Sequence, residues 1–167
     1  MKRHLIAALM FSLALMTANG VSAGPYEDGL AAYQRQDYAT AVRLWKPLAD
    51  KGNASAQNNL GSMYDKGQGV LQDYKEAVRL YRLAAAQGNG AGQINLGAMY
   101  GRGQGVAQDF ARAHMWFNLA ASSLTGDDRK TASTNRDIIA KMMSPSQIEK
   151  AQDMARKCQA SNFKQCD

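Results

Sequence analysis

The sequence predicts an all-α protein, built as a short α-solenoid of helix-turn-helix repeats with C-terminal capping helices. The first observation is a repeat: residues 53–88 and 89–124 align without a gap, and 17 of 36 positions are identical. The second is the spacing of apolar and small residues at i, i+4, i+7 and i+8, which is typical of one buried helix face. The third is that no stretch alternates apolar and polar residues as a half-buried strand does. Stacked helix pairs bury a continuous core and curve into a solenoid.

Residues 1–23 are predicted to be a secretory signal peptide, outside the fold. Lys2 and Arg3 precede the apolar stretch LIAALMFSLALM, and Val21-Ser22-Ala23 provides a small-residue cleavage site. The apolar stretch is shorter than the roughly 20 residues of a membrane-spanning helix. We therefore expect cleavage after Ala23, a periplasmic or secreted protein, and no stable membrane insertion after cleavage.

The opening unit, residues 24–52, shares the second half of the repeat. Its Asp37, Trp45 and Gly52 lie 36 positions before Asp73, Tyr81 and Gly88. The G-x-G-V segment of the later units is missing here, so the link between its two helices is predicted to be shorter.

Each of the two full units, 53–88 and 89–124, predicts a helix, a loop and a helix. The buried face of the first helix is predicted to consist of Ala56, Leu60, Met63 and Tyr64, and in the next unit of Gly92, Leu96, Met99 and Tyr100. The buried face of the second helix is predicted to consist of Ala77, Tyr81 and Ala84 in the first of these units, and of Ala113, Phe117 and Ala120 in the next. Gly52 and Gly88 fit helix C-caps, and Asp73 with Glu76 suggests a capping box.

The loop sequences KGQGVLQD and RGQGVAQD also suggest a phosphate-binding loop, because a basic residue lies beside closely spaced glycines. The G-x-x-x-x-G-K-[ST] motif and its preceding strand are missing, however. Gly67 and Gly69 are therefore interpreted as turn residues, and Val70 and Val106 are expected to return the loops to the core.

Residues 125–167 are predicted to form C-terminal capping helices and a tail that cover the last repeat. One helix is expected over Thr125–Met143. Ser144, Pro145 and Gln147 then form an N-terminal capping signal for a second helix that reaches Cys158. In an exported protein, Cys158 and Cys166 are expected to form a disulfide, although two free thiols are the alternative.

The sequence predicts no catalytic residue, metal ligand or cofactor. Removal of Lys2 and Arg3 with the signal peptide takes the formal net charge from +6 to +4, and the remaining charges are interspersed, which argues against a nucleic-acid partner. After the signal peptide His114 is the single histidine, so a surface or packing role is expected rather than metal binding. Ser161 and Lys164 satisfy S-x-x-K only formally, since the related S-D-N and K-T-G motifs are missing.

The pattern A-x-x-x-L-G-x-x-Y, G-x-G-V-x-x-D and A-x-x-x-aromatic-x-x-x-A-A-x-x-G resembles the Sel1-like repeat family, relatives of tetratricopeptide repeats with a longer inter-helix loop. The resemblance covers residues 25–124. The last unit departs at Gly92, where alanine is expected, and at Leu124, where glycine is expected. The opening unit resembles a tetratricopeptide repeat more closely.

The resemblance implies that the first helix of each unit lines a concave surface. The lining residues are then predicted to be Tyr26, Tyr33, Asn58, Ser62, Asp65, Ile94, Ala98 and Arg102. We refer to these eight residues as the first-helix face; plain solvation is the alternative role for them. The predicted function is an exported, non-enzymatic scaffold or adaptor in the bacterial envelope that binds a protein or peptide. The alternatives are a hydrolase of cell-wall or β-lactam substrates, or a penicillin-binding protein, and a secreted effector that meets host proteins.

Overall fold

The computed structural model describes residues 24–166, and within that range the chain forms eight helices and no strand. The predicted signal peptide and its cleavage site lie outside the described residues. The helices are α1 (Pro25–Gln34), α2 (Tyr38–Asp50), α3 (Ala54–Lys66), α4 (Tyr74–Ala85), α5 (Gly90–Arg102), α6 (Phe110–Ser123), α7 (Gly126–Ala140) and α8 (Pro145–Ala160). The all-α prediction is confirmed. None of these helices is long and apolar enough to span a bilayer.

Side-chain caps at the start of the helices follow the repeat. Asn53 and Asn89 accept hydrogen bonds from the backbone amides of Ala56 and Gly92, each at 2.8 Å. A cap of this kind satisfies an amide that has no partner within the helix. Asp37, Asp73 and Asp109 cap the second helix of their units in the same way.

Of the two predicted capping boxes, the one at α8 forms completely and the one at α4 forms only in part. At α8 the box forms as predicted, because Ser144 accepts from the Gln147 amide and Gln147 accepts from the Ser144 amide. At α4 the Asp73 half forms, but the Glu76 carboxylate instead binds Arg79 at 2.7 Å.

Three helices have ends that differ from the sequence prediction. α7 covers Gly126–Ala140 rather than Thr125–Met143, because Leu124 and Thr125 are extended and a turn follows Ala140. Gly52 and Gly88 lie just beyond the C-cap residues Lys51 and Ala86 rather than at the C-caps. Both glycines have a positive φ, 91° and 77°, which lets the chain reverse direction after the helix.

A glycine on the first helix faces an aromatic ring on the second helix in all three units. A Cβ atom at Gly61 would lie 2.9 Å from the ring of Tyr81, and one at Gly97 would lie 3.0 Å from the ring of Phe117. Gly29 faces Trp45 in the opening unit. Because these positions carry no side chain, the aromatic ring fills the space between the two helices.

Leu60 and Leu96 occupy the core as the helical spacing predicts, with exposed fractions of 3% and 0%. Leu60 belongs to an apolar cluster built from α1 to α4 around Trp45. Leu96 belongs to a cluster that extends from α4 to α8 and includes Tyr81 and Trp116.

One buried glutamine in each full unit forms a hydrogen bond with the unit before it. The Gln57 side-chain amide donates to the Ala49 carbonyl at 3.0 Å, and that of Gln93 donates to the Ala85 carbonyl at 3.4 Å. Both acceptors lie near the end of the preceding unit's second helix. Neighbouring units are therefore joined by polar contacts as well as by apolar packing.

The repeated G-x-G-V loop is explained by its contact with the preceding unit. Gly67 ends α3 in the left-handed region, at φ 67°. Gly69 also has a positive φ, 71°, and a Cβ atom there would lie 2.7 Å from the backbone of Tyr38, the first residue of α2. Gly105 approaches the backbone of Tyr74 in the same way. The glycines are turn residues as predicted, and Val70 and Val106 are partly buried against the core.

The C-terminal helices cap the last repeat, as predicted. Both α7 and α8 pack on α6. Cys158 and Cys166 form a disulfide, and between them Phe163 lies against Gly88 and the core. The disulfide therefore links α8 to a tail that returns to the end of α4.

Candidate functional site

The residues of the first-helix face lie on three helices that follow one another along the molecule. Tyr26 and Tyr33 are on α1, Asn58, Ser62 and Asp65 are on α3, and Ile94, Ala98 and Arg102 are on α5. Arg102 is exposed and the other seven are partly buried. Such intermediate exposure differs from both a core and a freely solvated surface.

A chain of side-chain hydrogen bonds crosses this face from α5 to α1. The Asn95 amide donates to the Asn58 carbonyl oxygen at 2.9 Å, and the Asn58 amide donates to Asn59 at 3.3 Å. The Asn59 amide then donates to the Tyr26 hydroxyl at 3.2 Å. We call these four residues the asparagine ladder. Because each side chain is held by a neighbour, the polar groups are oriented before any partner arrives.

A cavity of about 170 Å³ opens beside the ladder. Its lining consists of Leu30, Tyr33, Trp45, Asn58, Asn59, Ser62 and Asn95. The Tyr33 ring packs 5.9 Å from Trp45 and 5.4 Å from Tyr38, and its hydroxyl donates to Gln68 at 3.1 Å. The structure thus brings Tyr33, Asn58 and Ser62 together in one cavity, which has polar side chains and an aromatic wall.

Asp65 and Arg102 connect α3 to α5 through an ion pair of 3.7 Å. The Arg102 side chain is 54% exposed, so this pair contributes less than about 1 kcal/mol. Asp65 also acts on Tyr81 beneath it. Burial and the charge of Asp65 raise the pKa of the Tyr81 hydroxyl, whereas a hydrogen bond with Ser62 lowers it. Ser62 and Asp65 therefore contribute to the contact between α3 and α4 as well as to the face.

A second cavity, of about 370 Å³, brings Ala98 and Arg102 together with residues of α7. Its apolar lining includes Phe110, Phe117, Ile138, Ile139 and Met142, and its other polar side chains are Gln108 and Asn135. Ile138 and Met142 are 45% and 58% exposed. We call this cavity the α5–α7 pocket. Ile94 is not part of it and packs instead against the core clusters.

Several residues of this surface were not predicted from the sequence. Asn59 and Asn95 occupy the same position in the two full units, so their identity at a 36-residue spacing was a usable signal. Ile138 and Met142 lie outside the repeat, and only the packing of α7 on α6 places them beside Ala98 and Arg102.

The two residues that the sequence offered for chemistry, His114 and Ser161, lie in the core and in a turn. His114 is 3% exposed on α6, and its Nδ1 has no hydrogen-bond partner among residues 24–166. Burial lowers the pKa of His114, and the charge of Arg136 lowers it further. The Ser161 hydroxyl donates to the Cys158 carbonyl at 2.8 Å, in the turn that follows α8. In the part of the chain that the structure describes, no cluster of three His, Cys, Asp or Glu side chains could hold a metal.

A model of the Sel1 repeat matches the chain three times, at residues 10–53, 54–89 and 90–123. The first of these matches includes the opening unit. No curated protein matches the chain.

Several solved structures are similar to this chain, and two of them are described here. One is c5321, described as a protective antigen present in uropathogenic Escherichia coli strains displaying an SLR fold. It is similar with a TM-score of 0.76 and 28% identity over 83% of this chain and 31% of that chain. The other is a Sel1 repeat protein from Oxalobacter formigenes, with a TM-score of 0.60 and 30% identity over 65% of this chain and 43% of that chain. The present chain thus spans less than half the length of either relative.

The repeat matches cover more than half of the sequence and coincide with the helix pairs of the structure. Sel1 repeat proteins are typically protein–protein interaction scaffolds and are generally non-catalytic. The chain belongs to the Sel1 repeat family.

Proposed function

We propose that this protein is an exported, non-enzymatic adaptor that holds a protein or peptide partner on its first-helix face. The observation that carries the proposal is the continuity of that face. The asparagine ladder, the cavity beside it and the α5–α7 pocket follow one another over α1, α3, α5 and α7. A row of pre-oriented polar groups beside an apolar pocket provides both orientation and an anchor for a bound segment.

The setting that we propose is the bacterial envelope. The disulfide between Cys158 and Cys166 suggests an oxidising environment outside the cytoplasm. The predicted signal peptide supports export by the secretory route. Mass spectrometry of the protein recovered from a periplasmic or culture fraction tests this setting. A mature chain that begins at Gly24 is expected, and an intact Met1 N-terminus in the cytoplasmic fraction would contradict it.

The second candidate is a secreted effector that meets host proteins. Its support is the similarity to c5321, which is described as a protective antigen. For the hydrolase alternative, Ser161 of the S-x-x-K sequence provides no support, because its hydroxyl is bound within the chain's own turn.

The experiment that tests the adaptor is affinity capture from an envelope extract, followed by mass spectrometry. Wild type is compared with a Tyr33→Ala, Asn58→Ala, Arg102→Ala variant. The matched control is Lys46→Ala, Lys75→Ala, Leu83→Ala, which changes exposed residues on the second helices α2 and α4. A partner that binds wild type and control but not the first variant is expected. Equal recovery by all three proteins would place the interface elsewhere, and recovery of no specific partner by wild type would contradict the adaptor.

A further inference from the structure

We propose that the α5–α7 pocket is the anchor site for the partner, and that it takes a large apolar side chain adjacent to an acidic residue in a peptide segment. This inference rests on the proposed adaptor function and names the chemistry that the face recognises.

The apolar part of the proposal follows from the pocket's floor and rim. Phe117 and Ile139 are buried at 3% and 8% exposure and provide a rigid floor. Ile138 on α7 and Met142 in the turn that follows it leave about half of their surface in water at the rim. Exposed large apolar residues around a formed cavity mark an interaction site more often than isolated ones do. A Leu, Met or Phe side chain from a partner would cover this surface.

The acidic part follows from the polar lining. The pocket contains one guanidinium, Arg102, two amides, Gln108 and Asn135, and no carboxylate. The Gln108 amide nitrogen is already bound to the Gly101 carbonyl at 2.9 Å. Arg102 is half exposed and its contact with Asp65 is long, at 3.7 Å. Because a guanidinium has five donors, Arg102 can keep this contact and still bind an incoming carboxylate.

The same charge argues against a second copy of this chain as the occupant. In a two-fold symmetric contact the same patch appears on both partners, so two copies of Arg102 would lie close together. The net charge stays positive, at +4, after the predicted cleavage removes Lys2 and Arg3, and it adds to that repulsion. A segment with a negative charge beside its apolar residue complements the pocket instead.

Titration of the ¹⁵N-labelled protein with three small probes tests the proposal by amide chemical shifts. The probes are N-acetyl-Leu-Glu-amide, N-acetyl-Leu-Gln-amide and N-acetyl-Ala-Glu-amide. The first is expected to shift the amides around Ala98, Ile138 and Met142. It is expected to bind about threefold to tenfold more tightly than the Leu-Gln probe, which is the range of one solvent-exposed ion pair, and at least as much more tightly than the Ala-Glu probe, which lacks the apolar side chain. Equal affinity for the three probes, or shifts outside the pocket, would overturn the assignment.

Substitutions test the apolar part and the acidic part of the proposed ligand separately. Ile138→Ser with Met142→Ser changes exposed positions and is expected to abolish binding of the Leu-Glu probe. Arg102→Gln is expected to remove the preference for Glu over Gln while weak binding of both Leu probes is retained. Leu83→Ser is the matched control, because Leu83 is 41% exposed on α4 outside the pocket. Loss of binding in this control as well would contradict the proposal.

Two further results distinguish failure of the anchor from failure of the adaptor. A partner that is captured by wild type and by Ile138→Ser, Met142→Ser, but not by the Tyr33→Ala, Asn58→Ala, Arg102→Ala variant, would overturn the anchor site and leave the adaptor in place. A dimer in analytical ultracentrifugation that dissociates in Ile138→Ser, Met142→Ser would assign the pocket to self-association and overturn the peptide proposal.

Discussion

The ring of Tyr81 lies directly over Gly61, so that a Cβ atom at position 61 would be 2.9 Å from the ring carbons. The equivalent pair in the next unit, Gly97 and Phe117, has a distance of 3.0 Å. Real Cβ atoms do not approach a ring so closely without displacement. The pairing of a glycine with an aromatic residue therefore sets how closely the two helices of a unit approach each other.

Gly61→Ala is expected to destabilise the protein by about 1 to 3 kcal/mol, as overpacked cores do. Intrinsic helix propensity alone would favour alanine by roughly 0.5 to 1 kcal/mol, so the sign of the effect is informative. Denaturant unfolding measures the change. Tyr81→Leu should relieve the clash, so a double-mutant cycle should give less than additive destabilisation. A stabilised Gly61→Ala protein would show that the helices can separate at little cost.

Leu60→Ala and Leu96→Ala are each expected to reduce the free energy of unfolding by about 2 to 5 kcal/mol, because both side chains are buried in apolar clusters. Leu71→Ala is the matched control, since Leu71 is 92% exposed in the loop after α3. Its effect should remain within about 0.5 kcal/mol. Equal losses at the buried and exposed positions would contradict the core assignment.

Cys166→Ser is expected to lower the melting temperature under oxidising conditions. Cys166 is the more accessible partner, so serine there removes the disulfide without placing a hydroxyl in the core at Cys158. The bond closes a loop with a sequence separation of 8, for which chain entropy gives about 2 to 3 kcal/mol. In reductant the variant and wild type should melt together. A difference that persists in reductant would assign the effect to the side chain rather than to the bond.

Acidification is expected to destabilise the folded protein through His114. Burial and the charge of Arg136 hold the pKa of His114 below its ordinary value of 6.5, and the charge of Asp137 opposes this only in part. As the pH falls below 6.5, the unfolded chain takes up a proton that the folded protein does not, so the free energy of unfolding decreases. The decrease ends once the pH passes the folded pKa.

Thermal melts between about pH 7.5 and pH 5 test this expectation. The melting temperature of wild type should fall over this range, and that of His114→Gln should fall less. Parallel curves for the two proteins would show that His114 titrates normally in the fold.

The fold could be predicted because the core positions of the two full units recur at a 36-residue spacing. The alignment of Leu60 with Leu96 and of Tyr81 with Phe117 identifies both buried faces without any knowledge of tertiary structure. Helix ends were predicted less well where they depend on turns. The end of α7 at Ala140 is set by the turn that leads to Ser144, which periodicity does not report.

The surface was predictable only where it repeats. Helical spacing, together with the family resemblance, placed Tyr33, Asn58 and Ser62 on the first-helix face, and all three line one cavity in the structure. Ile138 and Met142 follow the last repeat, and no equivalent residue in another unit indicates their position. Their place beside Arg102 depends on how α7 docks on α6, which is a tertiary property.

The hydrogen bonds from Gln57 to Ala49 and from Gln93 to Ala85 have a consequence for how the chain can lengthen. The unit 53–88 carries both a donor for the unit before it, Gln57, and an acceptor for the unit after it, Ala85. Suppose that residues 53–88 were duplicated and the copy inserted between Gly88 and Asn89. The copy's equivalent of Gln57 would then donate to the Ala85 carbonyl, and its equivalent of Ala85 would accept from Gln93. The copy's equivalent of Gly69 would approach the backbone of Tyr74, as Gly105 does in the present chain. Growth by whole units requires no new junction and would add one helix to the first-helix face with each duplication, while α7 and α8 continue to close the end.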